Sequence, residues 1–178
     1  MILTYYFTEN DFLQMQLYFL KERKDLKKVI IKSLVIWFII LSIIVLILLV
    51  NNDKFDAILL SIGGVGGLIF LPNRIKTMYF KRLRKDIQLY KSKFNQLITL
   101  NINEDYFNTV GTESESKINI SQLQKIIETK SHFFLKLNPE VIIIPKSEME
   151  LRNFDKNELY ELAKRQKVEV ENQLHWKW

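Results

Sequence analysis

The chain has 178 residues, no cysteine, and 26 lysines and arginines against 20 aspartates and glutamates, for a formal net charge of +6. The lack of cysteine excludes a disulfide framework and any thiolate-held metal, and the length leaves room for one small soluble core beside any membrane segment. A mean hydropathy of -0.03 would suit a soluble globular protein if the apolar residues were evenly spread, and they are not.

The first segment, Ile2-Leu3-Thr4-Tyr5-Tyr6-Phe7, is rich in β-branched and aromatic residues and predicts a strand. Thr8-Glu9-Asn10-Asp11 predicts a helix start, with Thr8 as the cap and acidic residues in the first turn, where the helix dipole favours them. That helix is expected to run through Phe12, Met15, Phe19 and Leu20, with Leu13 and Leu17 broadening its apolar face. Residues 33–50 then read SLVIWFIILSIIVLILLV without a charge, and after the polar break Asn51-Asn52-Asp53-Lys54-Phe55-Asp56, residues 57–71 read AILLSIGGVGGLIFL. As helices these runs span about 27 Å and about 22 Å, close to a hydrocarbon core of about 30 Å. So short a break predicts antiparallel neighbours, a two-helix transmembrane hairpin. The first run starts too far into the chain, and is too long, for the apolar core of a cleaved signal peptide, so the hairpin is expected to stay in the mature protein.

Lys21, Arg23, Lys24, Lys27, Lys28 and Lys32 precede the first run, and Arg74, Lys76, Lys81, Arg82, Arg84, Lys85, Lys91 and Lys93 follow the second, whereas the break carries one lysine and two aspartates. The positive-inside rule then places both termini in the cytoplasm. Contacts with anionic headgroups are expected from Lys27, Lys28, Lys32, Arg74, Lys76, Lys81, Arg82, Arg84 and Lys85. No recognised nucleic-acid reader accompanies the charge, so no nucleic-acid partner is expected. Apolar residues at Ile75, Met78, Tyr79, Leu83, Ile87, Tyr90 and Phe94 recur at helical spacing, which predicts that the second span continues, or bends at Pro72, into a basic cytoplasmic helix over 74–95. Gly63 and Gly67 form a small-xxx-small pair that Ser61 and Gly64 widen, suited to close packing on the first span or to a homodimer contact.

From Leu97 the period changes to two. Ile98, Leu100 and Ile102 alternate with Thr99, Asn101 and Asn103, and further strands are predicted over 106–110, around Ile118 and Ile120, over 124–130, around Phe133, Leu135 and Leu137, and over 141–144. The four aliphatics Val141-Ile142-Ile143-Ile144 predict a strand covered on both faces. Asp155-Lys156-Asn157-Glu158 opens a helix in a capping-box-like manner, with Leu159, Leu162 and Ala163 as its apolar stripe and an end near Val170. About six antiparallel strands closed by a C-terminal helix describe a pleckstrin-homology-like half barrel over 96–178, set apart from an N-terminal strand and helix over 1–32.

Chemistry-bearing motifs are few. His132 and His175 lie far apart, outside any metal-ligand spacing, and read as a strand-edge histidine and a tail histidine. Gly63-Gly64-Val65-Gly66-Gly67 lacks the Gly-Lys-Ser/Thr of a phosphate loop and lies inside an apolar run. Neither an enzyme nor a cofactor is expected. Lys130, Lys136, Pro145 and Lys146 mark a candidate ligand surface for an anionic group, against the alternative of solvated strand-edge charges. Trp176 and Trp178 flank Lys177 in a tail that either contacts headgroups or stays disordered.

The Thr-Tyr-Tyr strand, the Thr8-Glu9-Asn10-Asp11-Phe12 helix entry, the hairpin, and the run His132-Phe133-Phe134-Leu135-Lys136-Leu137-Asn138 leading to Val141-Ile142-Ile143-Ile144-Pro145-Lys146 resemble the YcxB-like family of bacterial membrane proteins. Met149 and Leu151 stand where relatives commonly carry an aromatic residue. The resemblance implies a membrane protein with a pleckstrin-homology-like domain. The function expected is a non-enzymatic, membrane-tethered module that binds a protein, peptide or lipid headgroup. A role in resistance to a membrane-active bacteriocin is the alternative.

Overall fold

Strand β1 (Ile2–Phe7) lies beside β2 (Gln96–Ile102), with Ile2 opposite Asn101 and Phe7 opposite Gln96. In this computed structural model, which describes every residue except Arg23, Tyr90, Ser92, Lys93, Glu113 and Trp178, the chain divides into two compact units. One combines Met1–Gln16 with Ile87–Trp178, and the other is Leu17–Asp86. The N-terminal strand therefore belongs to the same sheet as the C-terminal strands, and residues 96–178 do not hold the whole β unit. The expectations that fall on Arg23, Tyr90, Lys93 and Trp178 lie outside the described residues.

The β unit contains two four-stranded sheets. The first runs in the order β1, β2, β3 (Tyr106–Val110), β4 (Glu115–Asn119), and every pairing is antiparallel. The second has the order β7 (Val141–Pro145), β6 (His132–Lys136), β5 (Lys125–Thr129), β8 (Glu169–Gln173), with β8 parallel to β5 and the other pairs antiparallel. Alternation puts Leu3, Tyr5, Leu100, Ile102, Phe107 and Ile118 of the first sheet into one core with Ile126, Phe133, Leu135, Ile142 and Ile144 of the second. Leu159, Leu162 and Ala163 of helix α5 (Asn157–Gln166) enter the same core, as their spacing predicts. The helix ends at Gln166, short of Val170, because Lys167 takes the left-handed conformation with φ 55° and the chain returns as β8. A short helix, α4 (Lys146–Leu151), follows β7 directly.

The other unit is built on two long apolar helices, α2 (Lys24–Val50) and α3 (Lys54–Gln88), preceded by helix α1 (Glu9–Glu22), which begins in the β unit. Both α2 and α3 are long and apolar enough to cross a membrane, and none of the most apolar stretch of α2 is buried. The turn between them is a Schellman-type stop. Asn52 sits at φ 62°, its N–H donates to the Leu49 carbonyl, and the Asp53 N–H donates to the Leu48 carbonyl at 2.9 Å. Helix α3 passes through Pro72 to Gln88, so the basic segment continues the second apolar run as one helix of about 52 Å.

Gly64 and Gly67 are the glycines that permit close approach here. A Cβ on Gly64 would overlap the Leu41 side chain, and one on Gly67 would lie 3.1 Å from Cζ2 of Trp37. The Trp37 indole N–H donates to the Gly64 carbonyl at 3.3 Å, giving that group a partner on an otherwise apolar surface. Gly63, expected to share a packing stripe with Gly67, has no atom within 4 Å of its would-be Cβ. The reason is angular: adjacent residues stand about 100° apart around a helix, so with 64 facing Leu41 and 67 at the edge of that face against Trp37, 63 points away on the far side of 67. Ser61, expected to widen that stripe, donates its hydroxyl to the Ala57 carbonyl one turn back, at 2.7 Å.

Candidate functional site

Two buried polar clusters flank the β5–β6 hairpin. The first is built on Glu128, which alternation directs to the core side of β5 although it is charged. Its carboxylate is satisfied there by two donors: Lys146 Nζ reaches Oε1 at 2.5 Å and the Tyr160 hydroxyl reaches Oε2 at 2.5 Å. Burial pushes the Glu128 carboxyl up, but the hydrogen bonds of Lys146 and Tyr160 and the charges of Lys146 and Lys156 outweigh it, and the net shift is downward. Burial, the bond to Glu128 and its charge push the Tyr160 phenol up to about 12. Lys146 Nζ also stands 4.9 Å from the centre of the Phe133 ring.

This cluster closes one side of an open cleft of about 460 Å³ lined by Lys130, Phe133, Lys146, Met149, Glu150, Phe154, Asp155 and Lys156. The buried Phe133 and Met149 give it an apolar floor with Phe154 half-buried at the side, and charges of both signs form the rim. Of the four residues expected to form a ligand surface, the structure brings Lys130 and Lys146 together here. Lys136 lies at the far end of β6, opposite Lys125 and Val141, and Pro145 is buried opposite His132. The positive charge of Lys130, Lys146 and Lys156 is matched by Glu128, Glu150 and Asp155, so the cleft does not select for an anion by charge alone. Lys156, Phe154 and Tyr160 are members that the sequence reading missed, because they join the cleft only through the packing of α4 and α5 on the sheet.

The second cluster corrects the reading of His132 as a strand-edge residue. His132 is 3% exposed, on the face of the second sheet turned away from the shared core, and its Nε2 lies 2.8 Å from Oδ1 of Asp11 on α1. Asp11 Oδ2 accepts from the Thr8 N–H at 2.9 Å and from the Thr8 hydroxyl at 2.6 Å, and the Asp11 N–H donates to Thr8 Oγ1 at 3.3 Å. Thr8 is thus the expected cap, with Asp11 as its reciprocal partner. The Ser131 hydroxyl meets His132 Nδ1 at 2.8 Å, and Thr129 Oγ1 accepts from the His132 N–H at 3.0 Å. Burial pushes Asp11 up, but the hydrogen bonds of His132 and Thr8 and the histidine charge more than compensate, so its carboxyl lies below the ordinary range. Burial, with the Asp11 charge second, pushes the Tyr5 phenol well above its ordinary value. The Asp11–His132 contact ties α1 to the sheet, and the other hydrogen bonds of the cluster are local to the Thr8 cap and to the β5–β6 turn. Ser131, His132 and Asp11 follow one another like a nucleophile, base and carboxylate, but Ser131 lies outside the lining of the cleft.

The expected headgroup residues Lys27, Lys28 and Lys32 are exposed on α2, as are Arg74, Lys81, Arg82, Arg84 and Lys85 on α3, with Lys76 half-buried. Trp176 is half-buried after β8, its backbone N–H donating to the Gln173 carbonyl at 3.0 Å.

The family of YcxB-like proteins has a model that matches residues 102–163. Over that segment the chain is similar to YcxB-like proteins. The resemblance read from the sequence is met there, and the YcxB-like segment runs from the last residue of β2 to the apolar stripe of α5. It therefore carries Glu128, Lys130, His132, Lys146 and Tyr160 and leaves out Asp11, the hairpin and β8. No curated protein and no solved structure matches the chain.

Proposed function

We propose that this protein is a non-enzymatic, membrane-tethered binding module. Helices α2 and α3 cross a bacterial inner membrane as a hairpin with both ends cytoplasmic, and the β unit presents the cleft at Lys130, Lys146 and Lys156 to a protein or peptide. Exposed apolar side chains along α2 and α3 support the membrane part, since a soluble monomer does not tolerate a patch of that extent. A pleckstrin-homology-like reading of the β unit is supported by its strand order: four antiparallel strands, three more, then a helix whose apolar stripe enters the shared core. In that reading β1 is the first strand, the hairpin is inserted after it, and β8 is an addition.

The observation that carries the binding role is the cleft itself, with its apolar floor of Phe133 and Met149 inside a rim of balanced charge. Such a surface suits a peptide that inserts an apolar side chain and pairs both signs of charge, more than it suits a bare phosphate. Affinity capture of the full chain from mild detergent, followed by mass spectrometry, tests it. A partner retained by the wild type and lost by Phe154→Asp with Lys156→Glu supports the reading, and a partner retained equally by both proteins overturns it. For the orientation, a cysteine at Asn52 should react with an impermeant thiol reagent on intact cells and one at Ser114 should not. Labelling at Ser114 would put the β unit on the other side.

A further inference from the structure

Helix α3 carries a second surface that the cleft does not use. Past the end of the apolar run, a groove of about 680 Å³ lies along α3 with Phe70, Arg74, Thr77, Met78 and Lys81 on its walls. Phe70, Arg74, Met78 and Lys81 follow one another at four, four and three residues, so they form a single stripe on the helix, with Thr77 at its edge. Toward the apolar run the same face carries Leu59, which is 61% exposed, and Gly63 and Gly66, whose would-be Cβ atoms meet nothing within 4 Å. Phe70 and Met78 are themselves 67% and 61% exposed, so apolar and cationic side chains alternate along it.

Neither Arg74 nor Lys81 has an ion-pair partner among the described residues, and the sequence holds no acid between Asp56 and Asp86. The Thr77 hydroxyl is spent on the Asn73 carbonyl at 2.9 Å, so the charges of the stripe belong to the two cations. Arg74 and Lys81 stand about 10.5 Å apart along the axis, and helical side chains lean toward the N-terminus, so the Lys81 stem points back over Met78 toward Arg74. Arg74 leans the same way, which carries its charge to the level where the apolar run ends, beside Phe70, and Lys81 adds a second cation on the same side two turns further on.

We propose that this stripe is a binding site for one net-anionic phospholipid, its phosphate held by Arg74 with Lys81 as the second cation and its first acyl carbons laid on Phe70 and the open glycine face before it. The site rests on the reading of α3 as a membrane helix. A zwitterionic lipid also offers a phosphate, but its own ammonium would then face two uncompensated cations, and an anionic lipid meets no such opposition. Arginine at the level of the phosphate adds a two-pronged donor.

The test uses the full chain. Alkaline carbonate extraction of the membranes comes first: release of the wild type into the supernatant would overturn the membrane reading and the site with it. Native mass spectrometry of the detergent-solubilised chain then compares adducts with dioleoyl-phosphatidylglycerol and dioleoyl-phosphatidylcholine at equal concentration. The expected result is one phosphatidylglycerol in preference for the wild type, a fall of about tenfold in that preference for Arg74→Gln with Lys81→Gln, and no such fall for Lys117→Gln with Lys164→Gln, two exposed lysines of the β unit. A membrane-retained chain without the preference, or an equal fall in both double variants, would overturn the site and leave the membrane reading standing.

Discussion

Asp11 has each carboxylate oxygen engaged, one by His132 and the other twice by Thr8, and it is only 7% exposed. Because its folded-state pKa lies below the unfolded value, its charge stabilises the fold above the ordinary aspartate pKa of about 3.9, and that contribution is lost as the pH falls through the folded value. Thermal unfolding of the full chain in detergent should therefore show stability falling below about pH 4. Asp11→Asn should cost about 1–3 kcal/mol at neutral pH and should flatten the decline, leaving the part due to Glu128, which is also shifted down. An unchanged slope would mean that Asp11 carries none of it. Thr8 and Asp11 were legible as a helix start because capping is local. Their bond to His132 was not, since it spans 121 residues and no spacing rule connects them. One signal did exist: the aliphatic run at 141–144 implies a covered second face, and His132 shares that face with the buried Phe134 and Ile143.

Elements were legible where an apolar period recurs and opaque where pairing alone makes them. All six strands expected between Leu97 and Ile144 are present, since alternation over β2 or β6 is written in the side chains. Strand β8, EVENQ, has one apolar residue and forms by laying itself parallel to β5, with Lys125 and Glu171 paired at 2.5 Å. Its start is hidden because α5 ends in a left-handed Lys167, where the residue that usually marks such a stop is glycine or asparagine. The stripe of α5 itself was plain. Replacing Leu159 and Leu162, 0% and 1% exposed, with aspartate should bury charge without a partner and cost several kcal/mol, enough to abolish the cooperative transition. Retention of the wild-type transition would mean that α5 is not part of the core. In the hairpin, glycine spacing showed that one face was flat, but which glycines face α2 depends on helix rotation. Gly64→Leu should lower thermal stability in detergent by about 1–3 kcal/mol through overlap with Leu41, and Gly63→Leu, which meets nothing within 4 Å, should not. Equal losses would place Gly63 against a partner after all.

At the level of the whole molecule, the hairpin is an insertion between the first and second strands of a β unit, and the chain leaves and re-enters that unit at neighbouring points. Phe7 at the end of β1, Phe12 on α1 and Phe94 before β2 stack in a trio with ring centres 5.8 to 6.3 Å apart, and the Asn95 N–H donates to the Phe7 carbonyl at 2.7 Å. The sequence gives no hint of this closure, because two segments that make one sheet are separated by the most apolar part of the chain. What it does supply is the strand character of Ile2 to Phe7, which leaves a short isolated strand in need of a partner. The isolated fragment 96–178 lacks that strand, and with it Leu3 and Tyr5, each 2% exposed in the core. The edge of β2 that β1 pairs with would then be open and the core unfilled on one side. Joining Met1–Gln16 to Ile87–Trp178 through a flexible glycine-serine linker restores both. Circular dichroism and amide dispersion by NMR should show the joined protein folded and β-rich in the absence of detergent, and the 96–178 fragment unfolded or aggregated. A fragment that folds as well as the joined protein would mean that β1 is dispensable and that the insertion description fails; if neither folds, the β unit depends on the hairpin for its stability.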